Sequence, residues 1–307
     1  MDQAAGLKIM MRQAMSANMA GTENQGVTST GVFNSRSRTR VIAVAGGKGG
    51  VGKTCVSVNL GMTLSMAGHD VMLLDADLGL ANIDVLLGLQ PVYNVSHLLE
   101  GKCQLEDLIL KAPHGLKIVP ATSGTRRMAQ LSSVEHASLI RAFDEYPQPP
   151  DFMIIDTAAG ISDSVTQFAA AADEVIVVVC DEPASLTDAY ALIKVLSREC
   201  DVQRFQVVAN MVRSAEEGRG LFEKLSRVTQ RFLDATLVYM GMVPHDEHLR
   251  QAIRRQKAVV DASPGARASL AFKNLAKAAD KWETSVSRQG RIGFFAQNTL
   301  SDMETPA

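Results

Sequence analysis

The sequence predicts an α/β fold, a mostly parallel twisted sheet with helices on both faces. Three observations predict it. Several short runs are continuously apolar, among them Val71-Met72-Leu73-Leu74, Phe152-Met153-Ile154-Ile155 and Val175 to Val179, as strands are when both faces are covered. Stretches of helical length lie between them, so the two element types alternate. The first run, Val41-Ile42-Ala43-Val44-Ala45, opens into a glycine-rich loop that leads straight into a helical stretch.

Taken in order, residues 2–20 carry Leu7, Met11, Met15 and Met19 at intervals of four, which predicts a short helix with an apolar stripe. A disordered leader is the alternative. Residues 21–39 are rich in Gly, Ser, Thr and Asn without periodicity and read as a flexible linker. The main domain is expected over 40–285. Its strands are expected at 41–45, 70–74, 116–119, 152–155, 174–180, 205–209 and 236–242. Its helices are expected at 53–67, 132–145, 163–171, 185–199, 214–231, 246–257 and 266–284. Gly68 supplies a natural C-cap to the first of these. Residues 286–307 fall outside the alternation and read as a tail.

A chain of 307 residues can hold one large α/β domain or two small ones. Its 46% hydrophobic and 21% charged content is that of a soluble globular protein, and a net charge of −2 argues against an overall basic nucleic-acid binder. Four cysteines without a Cys-x-x-Cys suggest reduced, cytosolic thiols. No secretory signal is visible, and no segment approaches the ~20 apolar residues of a membrane span.

The glycine-rich loop carries the chemistry. Gly47-Lys48-Gly49-Gly50-Val51-Gly52-Lys53-Thr54 fits the phosphate-binding pattern Gly-x4-Gly-Lys-Thr, with a second lysine near its start. Phosphate must approach bare backbone N–H groups, which a Cβ would obstruct. The helix N-terminus adds free donors and the positive end of a dipole. Lys53 would lie along the β- and γ-phosphates, and the Thr54 hydroxyl would ligate Mg²⁺. Two further strands end in carboxylates, Asp75-Ala76-Asp77 and Asp156-Thr157-Ala158-Ala159-Gly160. An apolar run ending in Asp beside a phosphate loop is the pattern of a metal-associated carboxylate, Asp156 acting through the water shell. Either Asp could instead cap the next helix.

These segments resemble the MinD/ParA ATPases, a branch of the P-loop NTPases. Lys48 to Thr54 is similar to their deviant Walker A motif, Leu74 to Asp84 to their switch I, and Ile155 to Gly160 to their switch II. The resemblance covers about residues 40–285. It implies ATP and Mg²⁺ as cofactors and an ATP-dependent homodimer with slow hydrolysis. Phosphate contacts are implied for Gly47, Lys48, Gly49, Gly50, Val51, Gly52, Lys53, Thr54 and Cys55, and metal contacts for Thr54, Asp75 and Asp156. Lys48 would reach across the dimer to the partner's ATP, Asp77 would position the attacking water, and Lys53 would complete the catalytic set. Asn210, Pro244 and Asp246 stand where that family contacts adenine. An Asn after a strand is otherwise an ordinary turn residue. Asp181-Glu182-Pro183 is a turn or a partner surface.

The N-terminal stretch Asp2, Gln3, Ala4, Leu7 and Lys8 is similar to the activating motif of the FlhG/FleN family, the MinD-like ATPases that regulate bacterial flagellar number. Lys8 stands where the motif often has arginine. That resemblance implies the flagellar SRP-type GTPase FlhF, a flagellar master transcription activator and flagellar C-ring components as partners. It implies a cytoplasmic protein with ATP-dependent association with the inner membrane or cell pole. In the tail, Arg288, Arg291, Ile292, Phe294, Phe295 and Leu300 suit an amphipathic membrane-targeting segment, although Gly290, Gly293, Asn298 and Asp302 weaken it. A tail folded on its own domain, or disordered, is the alternative.

Other functions compete. Division-site placement or DNA partitioning is the alternative within the family. Arg250, Arg254, Arg255 and Lys257 are its basic cluster, but the acidic balance leads us to expect no direct DNA binding. An iron–sulfur reductase would need cysteines after switch II, and none occurs between Asp156 and Cys180.

Overall fold

A computed structural model describes residues 38–121, 128, 131–282 and 293–295. The N-terminal motif and all but the end of the linker lie outside these, as does most of the tail.

The apolar runs form an eight-stranded sheet. In chain order its elements begin with β1 (Arg40–Ala45), α1 (Lys53–Met66), β2 (Val71–Ala76), α2 (Ile83–Leu87), α3 (Val95–Leu99), α4 (Leu105–Leu108), β3 (Leu110–Lys111) and β4 (Lys117–Val119). They continue with α5 (Ser133–Asp144), β5 (Phe152–Thr157), α6 (Asp163–Ala170), β6 (Glu174–Val179), α7 (Pro183–Glu199), β7 (Arg204–Val212) and α8 (Ala215–Phe232). The last are β8 (Thr236–Pro244), α9 (Glu247–Arg254), α10 (Val259–Ala262) and α11 (Arg267–Asp280). The strand order is β3-β4-β2-β5-β1-β6-β7-β8, and every pairing is parallel except β3 with β4. From β1 the chain first goes one way to β2 and later the other way to β6. A crevice therefore opens at the carboxyl end of β1.

Two apolar clusters flank the sheet. One packs α5, α6 and α7 against one face, through Phe143, Phe168 and Leu192. The other packs α1, α10 and α11 against the opposite face, through Leu60, Val260 and Phe272. A buried side chain links α1 to the C-terminal helices. Asn59 Oδ1 accepts the N–H of Val259 at 2.8 Å, at the start of α10, while its Nδ2 donates to Cys55 O at 2.9 Å. At the base of the sheet, Arg40 Nη1 donates to the carbonyls of Ala279, Asp280 and Trp282 where α11 ends, and its guanidinium lies 4.2 Å from the Phe152 ring centre.

The structure departs from the sequence reading in three places. Residues 76–116 contain α2, α3, α4 and β3, which the sequence did not disclose because five or fewer residues cannot display a period of 3.6. The helix expected at 246–257 stops at Arg254, because Gln256 adopts a left-handed φ of 54° before α10 begins. The helix expected to reach 284 ends at Asp280, where Arg40 takes its free carbonyls.

Phe294 and Phe295, read in the sequence as part of the tail's apolar cluster, are buried on the domain itself. Both meet Phe143 edge-on, with centroids 5.2 and 6.2 Å away, and Phe294 stacks with Phe168 at 6.3 Å. Phe294→Ala should lower unfolding stability by about 3–5 kcal/mol in urea titrations, as for other buried rings. A tail without this anchorage would leave stability unchanged.

Candidate phosphate-loop site

The loop between β1 and α1 has the backbone its sequence promised. Gly50 and Gly52 have φ of 83° and 92°, the left-handed region that glycine enters freely. A Cβ on Gly52 would stand 2.3 Å from Asn210 Nδ2, and one on Gly47 would stand 2.2 Å from the Asp188 carbonyl on α7. Over Gly49 and Gly50 a Cβ would meet nothing within 4 Å. The loop is thus pinned at both ends and open in the middle. Beyond it, α1 has no side-chain cap and no acid in its first turn, so its N–H groups stay available to an anion.

Lys53 begins α1 and is only 8% exposed. Burial lowers its pKa, while the charges of Asp156 and Asp77 work against that. Asp156 is the last residue but one of β5, beside Val44 of β1 and Asp75 of β2. Burial pushes its carboxyl up, and hydroxyl donors hold it down. One is Thr54. The other is Ser57, whose Oγ donates to Oδ1 at 2.8 Å. Ser57 went unremarked in the sequence, although its place one helical turn after Lys53 puts it on the same face of α1. A hard cation would find a hydroxyl and one carboxylate here rather than a cage. Among the described residues no group of three or more His, Cys, Asp or Glu is arranged to hold a metal. A hydroxyl and a carboxylate are the oxygen donors that Mg²⁺ takes, directly or through its water.

Asp75, expected as a metal contact, is held by backbone donors in this structure. Its Oδ1 accepts the N–H of Asp77, and its Oδ2 accepts those of Asn82 and Ile83. Both oxygens are occupied by backbone. Asp77 is half-buried, within charge range of Lys53; burial raises its pKa, whereas the Leu80 N–H and the charge of Lys53 lower it. Switch II rests on the loop, with Gly160 N–H donating to Gly46 O at 3.2 Å and Thr157 Oγ1 to Val44 O at 3.0 Å.

The two lysines part company. Lys48 is exposed and ion-paired to Glu182 of its own chain, which raises its pKa by hydrogen bonding and charge. Glu182, one of three residues the sequence left between turn and partner surface, is thereby placed at the site. Cys55 packs within α1; burial pushes its thiol up to about 12, so it is no nucleophile.

The base-contacting candidates are differently occupied. Asn210 Nδ2 donates to Val51 O at 2.8 Å, which holds β7 against the loop and leaves its Oδ1 uncommitted in that bond. Pro244 is buried at the end of β8, paired with Val212. Asp246 caps α9 through His248 N–H at 2.8 Å and receives Ala268 N–H at 2.9 Å. With both of its oxygens on backbone donors, Asp246 is engaged in joining α9 to α11. Asp2, Gln3, Ala4, Leu7 and Lys8 lie outside the described residues.

A pinned glycine loop, one lysine turned inward and another turned out, define a P-loop NTPase of the deviant, two-lysine class. Comparisons agree. The ParA family model, described as "NUBPL iron-transfer P-loop NTPase", matches residues 37–279. The "Antiactivator FleN" of Pseudomonas aeruginosa is 53% identical over 266 residues, 87% of this chain and 95% of the relative. The "Flagellum site-determining protein YlxH" of Helicobacter pylori is 32% identical over 268 residues, 86% of this chain and 90% of the relative. Among solved structures, the septum site-determining protein MinD from Pyrococcus horikoshii, complexed with Mg-ADP, superposes with a TM-score of 0.67 at 26% identity, over 79% of this chain and 96% of that one. The chain belongs to the MinD/ParA family of P-loop ATPases, in its FlhG/FleN branch.

Proposed function

We propose that this protein is a Mg-ATP-dependent dimerising switch with slow ATP hydrolysis that regulates flagellar number. The outward placement of Lys48 carries the reading. A phosphate loop needs one lysine for its own nucleotide, and Lys53 is placed for that; a second, held at the rim by Glu182, suits a phosphate presented from outside the subunit. Bound Mg-ATP would supply the phosphoryl group and the cation that draws charge from it. Gly49 to Thr54 would cradle the phosphates through backbone N–H groups. Thr54 and Asp156 would hold the metal and its water, with Ser57 orienting Asp156. Asp77 would orient the attacking water. Lys48 of the partner copy would stabilise charge on the transferred group, as an arginine finger does. Asn210 and the Pro244 segment would border the adenine.

Relatives named for flagellar antiactivation and site determination support the flagellar destination. The partners we propose are FlhF, engaged through Asp2 to Lys8, a master transcription activator and C-ring components. No described helix is long and apolar enough to cross a membrane; the lipid contact we propose would be made by the tail. The test is a pull-down with and without residues 1–20, alongside ATP turnover. Loss of the GTPase on truncation is expected; retention would refute the assignment of the motif.

A further inference from the structure

Asp75 has only 1% of its surface exposed, and a carboxylate so buried must be supplied with donors. Its three donors all lie in the segment 77–83. Asp77 N–H reaches Oδ1 at 3.1 Å; Asn82 N–H and Ile83 N–H reach Oδ2 at 2.9 and 3.1 Å. Ile83 opens α2, whose N-cap residue Asn82 makes no side-chain cap and turns its amide to Leu80 O. The capping of α2 therefore falls to a side chain on β2. The loop 77–82 begins and ends on one carboxylate.

We propose that Asp75 is a positioning residue for hydrolysis, a staple that closes both ends of switch I and so fixes where the Asp77 side chain stands. The proposal rests on the ATPase reading above and gives Asp75 no contact with nucleotide or metal. Holding the Asp77 N–H fixes the peptide plane that carries its Cα, and holding the Asn82 and Ile83 amides fixes the other end of the loop, so backbone rotation at Asp77 is narrowed from both sides. The Leu80 N–H, 3.2 Å from Asp77 Oδ1, restrains side-chain rotation from within the same loop. The far side is also tied down: Gln256 Nε2 donates to Val85 O at 2.9 Å, so α2 is held from the turn after α9. A misplacement of about 1 Å in a reacting group can lower a rate about 10²-fold, which is the scale of effect such a staple would prevent.

The test is Asp75→Asn in the full chain, which keeps size and one acceptor oxygen but turns the other into a donor facing donors. Three results are expected. In nucleotide-free protein, hydrogen exchange at the Asn82 and Ile83 amides should quicken by about tenfold or more while β5 amides are unchanged. Turnover should fall by about 10²-fold with KM for ATP within about twofold of wild type. Half-saturation by Mg²⁺ should not move. Unaltered exchange at residues 82 and 83, or unaltered turnover, would overturn the proposal. So would a weakened Mg²⁺ requirement curve with normal exchange, which would return Asp75 to the metal. If the wild-type protein does not hydrolyse ATP, the ATPase reading fails while the exchange result still judges the staple. If the variant does not fold, wild-type exchange decides: the Asn82 and Ile83 amides should be protected by about a hundredfold or more over an open chain, and unprotected rates would refute the staple.

Discussion

Asp77→Ala should lower ATP turnover by about 10²–10⁴-fold while leaving ATP binding intact, the range for loss of a group that positions or deprotonates a nucleophile. The substitution removes one side-chain acceptor of the Leu80 N–H, at 3.2 Å, but the backbone bonds of Asp77 remain. Its N–H continues to donate to Asp75, and the Leu80 N–H still has the Asp77 carbonyl at 3.2 Å. What is lost is the carboxylate that lies within charge range of Lys53. Lys53, Thr54 and the glycine loop are untouched, so nucleotide should still bind. If bound ATP joins two subunits, blocked hydrolysis must accumulate the joined form. Size-exclusion chromatography with saturating Mg-ATP should show a dimer, and monomeric elution would reject the proposed switch.

Lys48→Ala should produce the opposite assembly state. Turnover should fall by about 10³–10⁵-fold, the scale of a group that stabilises transferred phosphoryl charge from outside. ATP should bind, since Lys53 is the buried lysine at the helix N-terminus, but the dimer should not form. The two variants together test the direction in which Lys48 reaches. In a mixed dimer, the site on the Lys48→Ala subunit retains its own Asp77 and receives Lys48 from the Asp77→Ala subunit. Mixing two inactive proteins should therefore restore part of the turnover. If Lys48 serves its own nucleotide, the mixture stays inactive.

Much of this was legible in the sequence because it is local. A phosphate loop is one contiguous segment whose glycines fulfil backbone requirements, and Gly50 and Gly52 carry the positive φ that the motif implies. Strands buried on both faces are legible for the same reason, since every residue must be apolar. What was not legible depends on residues far apart in the chain. That Gly47 must be small because of Asp188, or that Lys48 pairs with Glu182, follows from how α7 packs on the loop. Asp75 and Asp156 are each the last residue but one of a strand, yet backbone N–H groups surround the first and hydroxyls the second. No pattern in their flanking residues separates them. Asp246 was expected as a base contact from family resemblance; that it also ties α9 to α11 through Ala268 depends on a residue 22 positions away.

Arg40 has a consequence for how signals could travel. It fastens the start of β1 to the end of α11, so the chain enters the ATPase body and leaves its last helix at one corner. The phosphate loop lies at the other end of β1. Six residues of strand separate them, about 20 Å. A close-packed sheet does not stretch to carry a signal across that gap. A rigid lever does it better, and α6 has the right ends. It begins just past Gly160, which touches the loop, and it carries Phe168 to the rings of the returning tail.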